Sequence, residues 1–266
     1  TGIMDQNVFE KKILDALKTS TADEKNLILK IKAHFKKAGK KTAVIGLSGG
    51  VDSSLVCYLA AKALGKENVF AYYMPYVYDE KDEKDIEQLV KLVGVIYKKI
   101  DLRGIVDKIC ETIKPRNTLA AGNIRARARM ITLYSFANGN DALVLGTGNR
   151  TELLLGYFTK YGDGACDLLP IGKLYKLQVW DMARLSKLPK HIIDKVPTAG
   201  LWEGQTDESE LGVTYREIDK ILAAHFELGM PWKEIEGHFV PKKVLRVREL
   251  HETSFHKRIN PEFLEF

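Results

Sequence analysis

The apolar run at residues 42–47 breaks abruptly into Ser48-Gly49-Gly50 and then into Val51-Asp52-Ser53-Ser54, a stretch compatible with a helix. A buried strand must end there, a turn that tolerates positive φ must follow, and a helix must start at the same edge of whatever sheet the strand joins. Such a turn leaves backbone N–H groups free to face an anion, and the helix adds the positive end of its dipole. Glycine also lets the main chain approach phosphate oxygens closely, because it has no Cβ. Asp52 departs from simple anion binding. A carboxylate beside phosphates repels them unless a cation lies between, so the loop implies Mg²⁺ as well as a nucleotide.

Further apolar runs at 69–74, 95–100 and 142–145 alternate with helix-like stretches at 53–64, 81–93 and 117–137. Alternation of this kind marks a parallel sheet covered on both sides, with ligands at the carboxyl ends of its strands. The expectation is an α/β chain: a doubly wound, parallel, five-stranded Rossmann-like sheet with helices on both faces and a helical C-terminal region. Amphipathic helices at 5–18 and 22–38 precede the first strand, the second with Leu27, Ile28, Ile31, Phe35 and Ala38 on one face. After Gly146 the texture changes to a glycine-punctuated stretch, and long ordered loops are usually functional. Helices are expected again at 175–187, 215–226 and 240–257, the last with Val244, Val247, Leu250 and Phe255 on a buried face. The whole reads as one unit: N-terminal helices 5–38, a nucleotide-binding core of about 40–198, and a lid with C-terminal helices over about 199–266.

Composition narrows the function classes. The 45% hydrophobic content over 266 residues is ample for a core. No apolar stretch approaches the length of a membrane span, and residues 5–12 lack a signal peptide's apolar segment, so a cytoplasmic protein is expected. A net charge of +6 attracts small anions but is weak evidence for nucleic acid. Cys57, Cys110 and Cys166 suggest neither a disulfide framework nor a CxxC site and read as buried small side chains. His34, His191, His225, His238 and His251 show no metal-ligand spacing.

The glycine loop is neither a Walker loop, lacking its lysine, nor a GxGxxG fingerprint. It resembles the SGGxDS loop of the ATP pyrophosphatases, which cleave ATP between its α- and β-phosphates to adenylate a substrate. In GNIRARARM (122–130) three arginines stand two apart on a helix, so they cannot share one face; a solvated basic helix and a grip on substrate phosphate or carboxylate both remain open. GTGNRTE (146–152) follows the fourth apolar run, where Thr147 can bond a nucleotide and Glu152 can join Asp52 on the metal, or where Thr151 and Glu152 only cap a helix. The segment 156–167 mixes Tyr157, Phe158 and Tyr161 with Lys160, Asp163 and Asp167, unusually aromatic for a surface loop.

Taken in order and spacing, SGGVDSS, GNIRARARM, GTGNRTE, GYFTKYGDGACDLLPIGKLYK, TAGLWEGQTDE and HKR are similar to the ammonia-dependent NAD synthetases over nearly the whole chain. The resemblance implies adenylation of the nicotinate carboxylate of deamido-NAD by Mg-ATP, followed by attack of ammonia. It implies an ATP site of Gly46, Leu47, Ser48, Gly49, Gly50, Val51, Asp52 and Ser53 with Thr147, Lys176 and Thr198. Mg²⁺ would rest on Asp52 and Glu152, and deamido-NAD on Arg127, Lys160, Asp167, His256 and Lys257. Asp52, Glu152, Lys176 and Asp167 are the expected catalytic set, although Asp167's part in deprotonating ammonium stays open. Read alone, Lys176 could merely flank a helix and the 256–258 triplet could be a basic helix end. Residues 198–208, with Gly200 and Gly204 as hinges, Trp202 as an apolar anchor and Gln205-Thr206-Asp207-Glu208 as the mobile part, resemble the family's lid. A homodimer without nucleic acid or membrane is further implied, and the chain length leaves no room for a glutaminase domain.

Two other readings compete. A tRNA-modifying enzyme of the same fold would be expected to carry a catalytic cysteine, a CxxC pair or an RNA-binding appendage, none of which is visible. A non-catalytic regulatory module would have no need of both Asp52 and Glu152.

Overall fold

The computed structural model describes residues 4–198, 204 and 206–264. Two helices come first, α1 (Gln6–Ala16) and α2 (Thr21–Ala38). Asp5 caps α1 by accepting from the amides of Asn7 and Val8, while Ser20 and Asp23 form a capping box on α2. Then follow β1 (Thr42–Leu47), α3 (Val51–Leu64), β2 (Val69–Tyr73), α4 (Glu80–Val93), β3 (Ile96–Lys99), α5 (Arg103–Ile113), α6 (Thr118–Gly139) and β4 (Ala142–Leu145). Every pairing is parallel, in the order β3-β2-β1-β4.

Strand alternation builds two layers. Ala43, Ile45 and Leu47 pack with Ile31 and Phe35 of α2, Leu55 and Leu59 of α3, and Ile86 and Leu89 of α4. Val44 of β1 and Tyr72 of β2 face the other way, onto Val106 of α5 and Ala128 and Ala137 of α6. The chain steps outward from β1 to β3 and then returns to place β4 on the far side of β1. A crevice therefore opens at the carboxyl ends of β1 and β4, where the connections diverge.

The sheet has four strands among the described residues, not the expected five. Beside β4, in the fifth position, only Leu168 makes a bridge, with Leu145. The Asp167 amide donates to the Val144 carbonyl at 2.9 Å, but the Val144 amide donates to the Asp167 carboxylate at 2.7 Å. A side chain has replaced a main-chain acceptor in the ladder. Pro170, two residues after Leu168, has no N–H with which to extend it.

α5 also departs from expectation, since no helix was expected between β3 and α6. Val106 is its buried residue, and Val106, Ile109, Cys110 and Ile113 recur at helical spacing, so the sequence did carry a signal for this helix. Ala38 is exposed as well.

The later helices are α7 (Arg150–Leu155), α8 (Lys176–Leu185), α9 (Lys190–Ile193), α10 (Asp207–Leu211), α11 (Tyr215–Phe226), α12 (Trp232–Ile235) and α13 (Pro241–Thr253). A second core joins Phe9 and Ile13 of α1, Leu155 of α7, Ile218 and Leu222 of α11, and Val244 and Val247 of α13. The last helix stops short of the expected 257. Ser254 turns its hydroxyl back to the Leu250 carbonyl at 2.6 Å, and Phe255 ends up 56% exposed. No helix among the described residues is long and apolar enough to cross a membrane.

Candidate active site

Gly49 has φ +78° and Gly50 is the N-cap of α3, with no side chain bonded to the helix's first amides. An α-helix beginning without a side-chain cap leaves donors available to an anion. The loop is braced from within: the Ser48 amide donates to Ser53 Oγ at 3.2 Å, and Ser54 Oγ donates to the Gly50 carbonyl at 2.8 Å. Leu47 and Val51 point into the core, so main-chain groups are what they can offer a ligand.

Asp52, in the first turn of α3, meets residues that follow β4. Asn149 Nδ2 donates to Asp52 Oδ1 at 2.9 Å. The same Asn149 caps α7 in a reciprocal box, its Oδ1 accepting from the Glu152 amide at 2.9 Å and its amide donating to Glu152 Oε2 at 3.0 Å. One buried asparagine thus links the two carboxylates expected on the metal. Lys176, 2% exposed, donates its ammonium to the other Asp52 oxygen. Burial disfavours the lysine's charge, but Asp52 and Glu152 outweigh it and its pKa lies above the ordinary value. The Glu152 carboxyl is pushed well up by burial and then by Asp52, with Lys176 pulling the other way. A carboxyl whose proton affinity is raised by burial and by a neighbouring carboxylate suits a divalent cation. The described residues bring no third His, Cys, Asp or Glu into a ligand cluster with them, which fits a metal completed by water and phosphate.

Lys176 is aimed by a buried chain of hydrogen bonds. Asp219 of α11 accepts from Thr151 Oγ1 at 2.5 Å and from the Leu177 amide at 2.7 Å, and Thr151 Oγ1 accepts the Lys176 amide at 2.9 Å. A carboxylate from a neighbouring helix and the hydroxyl bonded to it therefore satisfy the first two amides of α8. Asn149, Thr151 and Asp219 were missed as functional residues. Asp219 had a signal, being a carboxylate among Tyr215, Ile218, Ile221 and Leu222 on the apolar face of its helix.

The expected acceptor residues gather on another wall. Arg127 Nη2 donates to the Lys160 carbonyl at 3.1 Å, Lys160 Nζ to the His256 carbonyl at 2.8 Å, and Lys257 Nζ to the carbonyls of Gly156 and Phe158 at 2.7 Å each. The other two arginines diverge as their spacing requires: Arg129 Nε bonds the Met74 carbonyl at 3.1 Å, and the Arg125 guanidinium lies 3.8 Å over the Tyr76 ring. Asp167 stands apart from the Asp52 cluster, against β4, where Tyr134 also donates to it at 3.2 Å. Thr147 lies two residues past the end of β4, and Thr198 lies exposed at the end of the stretch after α9. Gly200, Trp202 and Gln205 of the expected lid lie outside the described residues; Gly204 has φ +75°. The far end of the expected lid segment is anchored. Thr206 caps α10, Tyr215 donates to Asp207 at 2.8 Å, and Glu208 accepts the Tyr215 amide at 2.8 Å.

A glycine loop leading into an uncapped helix, paired carboxylates and a buried lysine at a topological switch point define an adenylating α/β nucleotide-binding enzyme. The sequence model of the family described as NAD synthase matches residues 24–261, and the chain belongs to that family. The NH(3)-dependent NAD(+) synthetase of Pyrococcus furiosus is 44% identical over 238 residues, covering 88% of this chain and 92% of that one. Among solved structures, the NMN synthetase of Francisella tularensis superposes with a TM-score of 0.83 at 34% identity, covering 94% of this chain and all of that one. The NH3-dependent NAD synthetase of Campylobacter jejuni, in complex with the nitrate ion, gives 0.76 at 30% identity over 98% of this chain and all of that one.

Proposed function

We propose that this chain is an ammonia-dependent NAD synthetase, a ligase that adenylates the nicotinate carboxylate of deamido-NAD and amidates it to NAD, the last step of NAD biosynthesis. The observation that carries the reading is the meeting of Asp52 and Glu152 through Asn149, beside buried Lys176 and over the uncapped start of α3. ATP would lie with its phosphates along Gly46–Ser53 and be completed by Thr147, Lys176 and Thr198. Mg²⁺, held by Asp52 and Glu152, would neutralise phosphate charge. A carboxylate oxygen of the acceptor attacks the α-phosphorus; the new O–P bond forms as the α–β bridge breaks, and its electron pair leaves with pyrophosphate. Lys176 faces that developing charge as a cation. Ammonia then attacks the acyl carbon, the bond to AMP breaks, and one proton is lost from nitrogen. Asp167, exposed beside the aromatic loop, is the candidate to take it.

Deamido-NAD would be held by Arg127, Lys160, Asp167, His256 and Lys257. We further read the whole chain as one catalytic unit and the enzyme as a cytoplasmic homodimer. Exposed Ile105 and Ile113 of α5 and Leu119 and Ile131 of α6 support the dimer. The likeness to an NMN synthetase favours one alternative acceptor, the nicotinate mononucleotide, which lacks the AMP half of deamido-NAD. Purified protein with ATP, Mg²⁺ and ammonium should convert deamido-NAD to NAD with one AMP per turnover, and convert the mononucleotide more slowly. Faster turnover of the mononucleotide would establish the alternative acceptor, and equal NAD formation from glutamine in ammonia-free protein would overturn the nitrogen source.

A further inference from the structure

Behind the glycine loop stands a lysine with no role in the reaction as described. Lys195 lies three residues before Thr198, and its side chain is 17% exposed. Its Nζ donates to Asp82, to Asp85 Oδ2 at 3.1 Å and to the Gly49 carbonyl at 3.4 Å. Both carboxylates come from the start of α4. Asp85 is 5% exposed, and its other oxygen faces His191 Nε2 at 3.3 Å. Burial opposes the ammonium charge, but Asp82 and Asp85 overcome it, so Lys195 remains a cation.

Charge and geometry separate the roles open to such a lysine. All three donors of this ammonium already have acceptors in Asp82, Asp85 and the Gly49 carbonyl, so none is left for a phosphate. Geometry points to the loop. A Cβ on Gly49 would lie 3.2 Å from Lys195 Nζ and 3.4 Å from the Asp82 carbonyl, so lysine and α4 together press on that residue. Across a planar trans peptide, the carbonyl of residue 49 and the amide of residue 50 point in opposite directions. Holding the Gly49 carbonyl on Lys195 turns the Gly50 amide the other way, where it reaches Ser48 Oγ at 3.3 Å. Ser48 is exposed, so the amide turned toward it faces the open side of the loop.

We propose that Lys195 is a positioning residue for the phosphate loop: anchored by Asp82 and Asp85, it sets the Gly49–Gly50 peptide so that its amide meets ATP phosphate, and ties that setting to the segment carrying Thr198. The proposal rests on the nucleotide-binding reading of the loop. It also makes opposite predictions from a phosphate-ligand role when Asp82 is neutralised. A latch needs its anchor, whereas a phosphate ligand is set free by losing it.

The test is calorimetric binding of α,β-methylene-ATP with Mg²⁺, alongside steady-state kinetics. Lys195→Met should weaken analogue binding and raise the ATP KM about tenfold, the scale of one charge-assisted hydrogen bond, with the KM for deamido-NAD unchanged. Asp82→Asn should weaken the analogue in the same direction, and Lys195→Arg should recover part of the loss. Tighter binding by Asp82→Asn would overturn the latch in favour of a phosphate ligand. Unchanged analogue binding by Lys195→Met, with only a lower Tm, would reduce Lys195 to a structural tether. Wild-type protein that binds the analogue but makes no NAD would sink the synthetase reading while leaving the latch to be judged by binding; wild-type protein that binds no nucleotide overturns both.

Discussion

Two walls built from separate elements handle charge in opposite ways. On the wall built from α3, α7 and α8, charged groups answer one another through side chains: Lys176 on Asp52, Asn149 between Asp52 and Glu152, and Asp219 on Thr151. On the wall built from α6, the 156–164 loop and the chain after α13, Arg127, Lys160 and Lys257 all donate to main-chain carbonyls. A carboxylate partner cancels a cation's charge; a neutral carbonyl fixes its direction and leaves the charge standing. Under the proposed function, the first wall would meet charge that develops during reaction, and the second an anionic substrate that arrives already charged.

Mutation of the first wall should hit chemistry hardest. Asp52→Ala and Glu152→Ala are expected to lower NAD formation on the order of a hundredfold or more, with circular dichroism unchanged. Near-normal rates with unaltered Mg²⁺ dependence in both would erase the contrast. Arg127→Ala and Lys160→Ala should instead raise the KM for deamido-NAD about tenfold with ATP binding intact. A fall in ATP affinity in their place would mean that the two pockets are exchanged.

A smaller effect separates the walls by pH. Burial pushes the Asp219 carboxyl up to about 7, against the hydrogen bonds from Thr151 and Leu177 and the charge of Lys176. Between about 4 and 7 the unfolded chain has released this proton and the folded one still holds it, so Asp219 lowers stability progressively as pH rises through that window and adds no further slope above it. Thermal melts should therefore show Tm falling less steeply with pH across this range in Asp219→Asn than in wild type. Parallel slopes would show that Asp219 ionises in the folded protein as it does in water. The smallest expected effect lies in the nitrogen source. At fixed total ammonium, the initial rate should rise across the mildly alkaline range as the neutral nucleophile's share grows, and a flat profile would point to a step before amidation as rate-limiting.

Local signals carried much of this protein. Apolar runs bounded by turn residues located the four strands, and 3.6-residue periodicity placed Tyr215–Phe226 at its observed bounds. SGGVDSS and GTGNRTE marked Asp52 and Glu152 because the chemistry of a phosphate site is concentrated in short segments next to strand ends. Residues acting through partners distant in the chain were not legible in this way. Asn149 reads as an ordinary cap until the fold brings Asp52 to its amide, and Lys195 as one more surface lysine until α4 and Gly49 close around it. The absent fifth strand has the same origin, since its ladder is broken by the Asp167 carboxylate reaching the amide of Val144, 23 residues away. Sequence by itself located the four strands, the glycine turn and most of the long helices, because backbone geometry and burial period are local properties. Which side chains share a charge, a proton or a hydrogen bond was decided only by tertiary structure, because those energies depend on distances that folding alone sets.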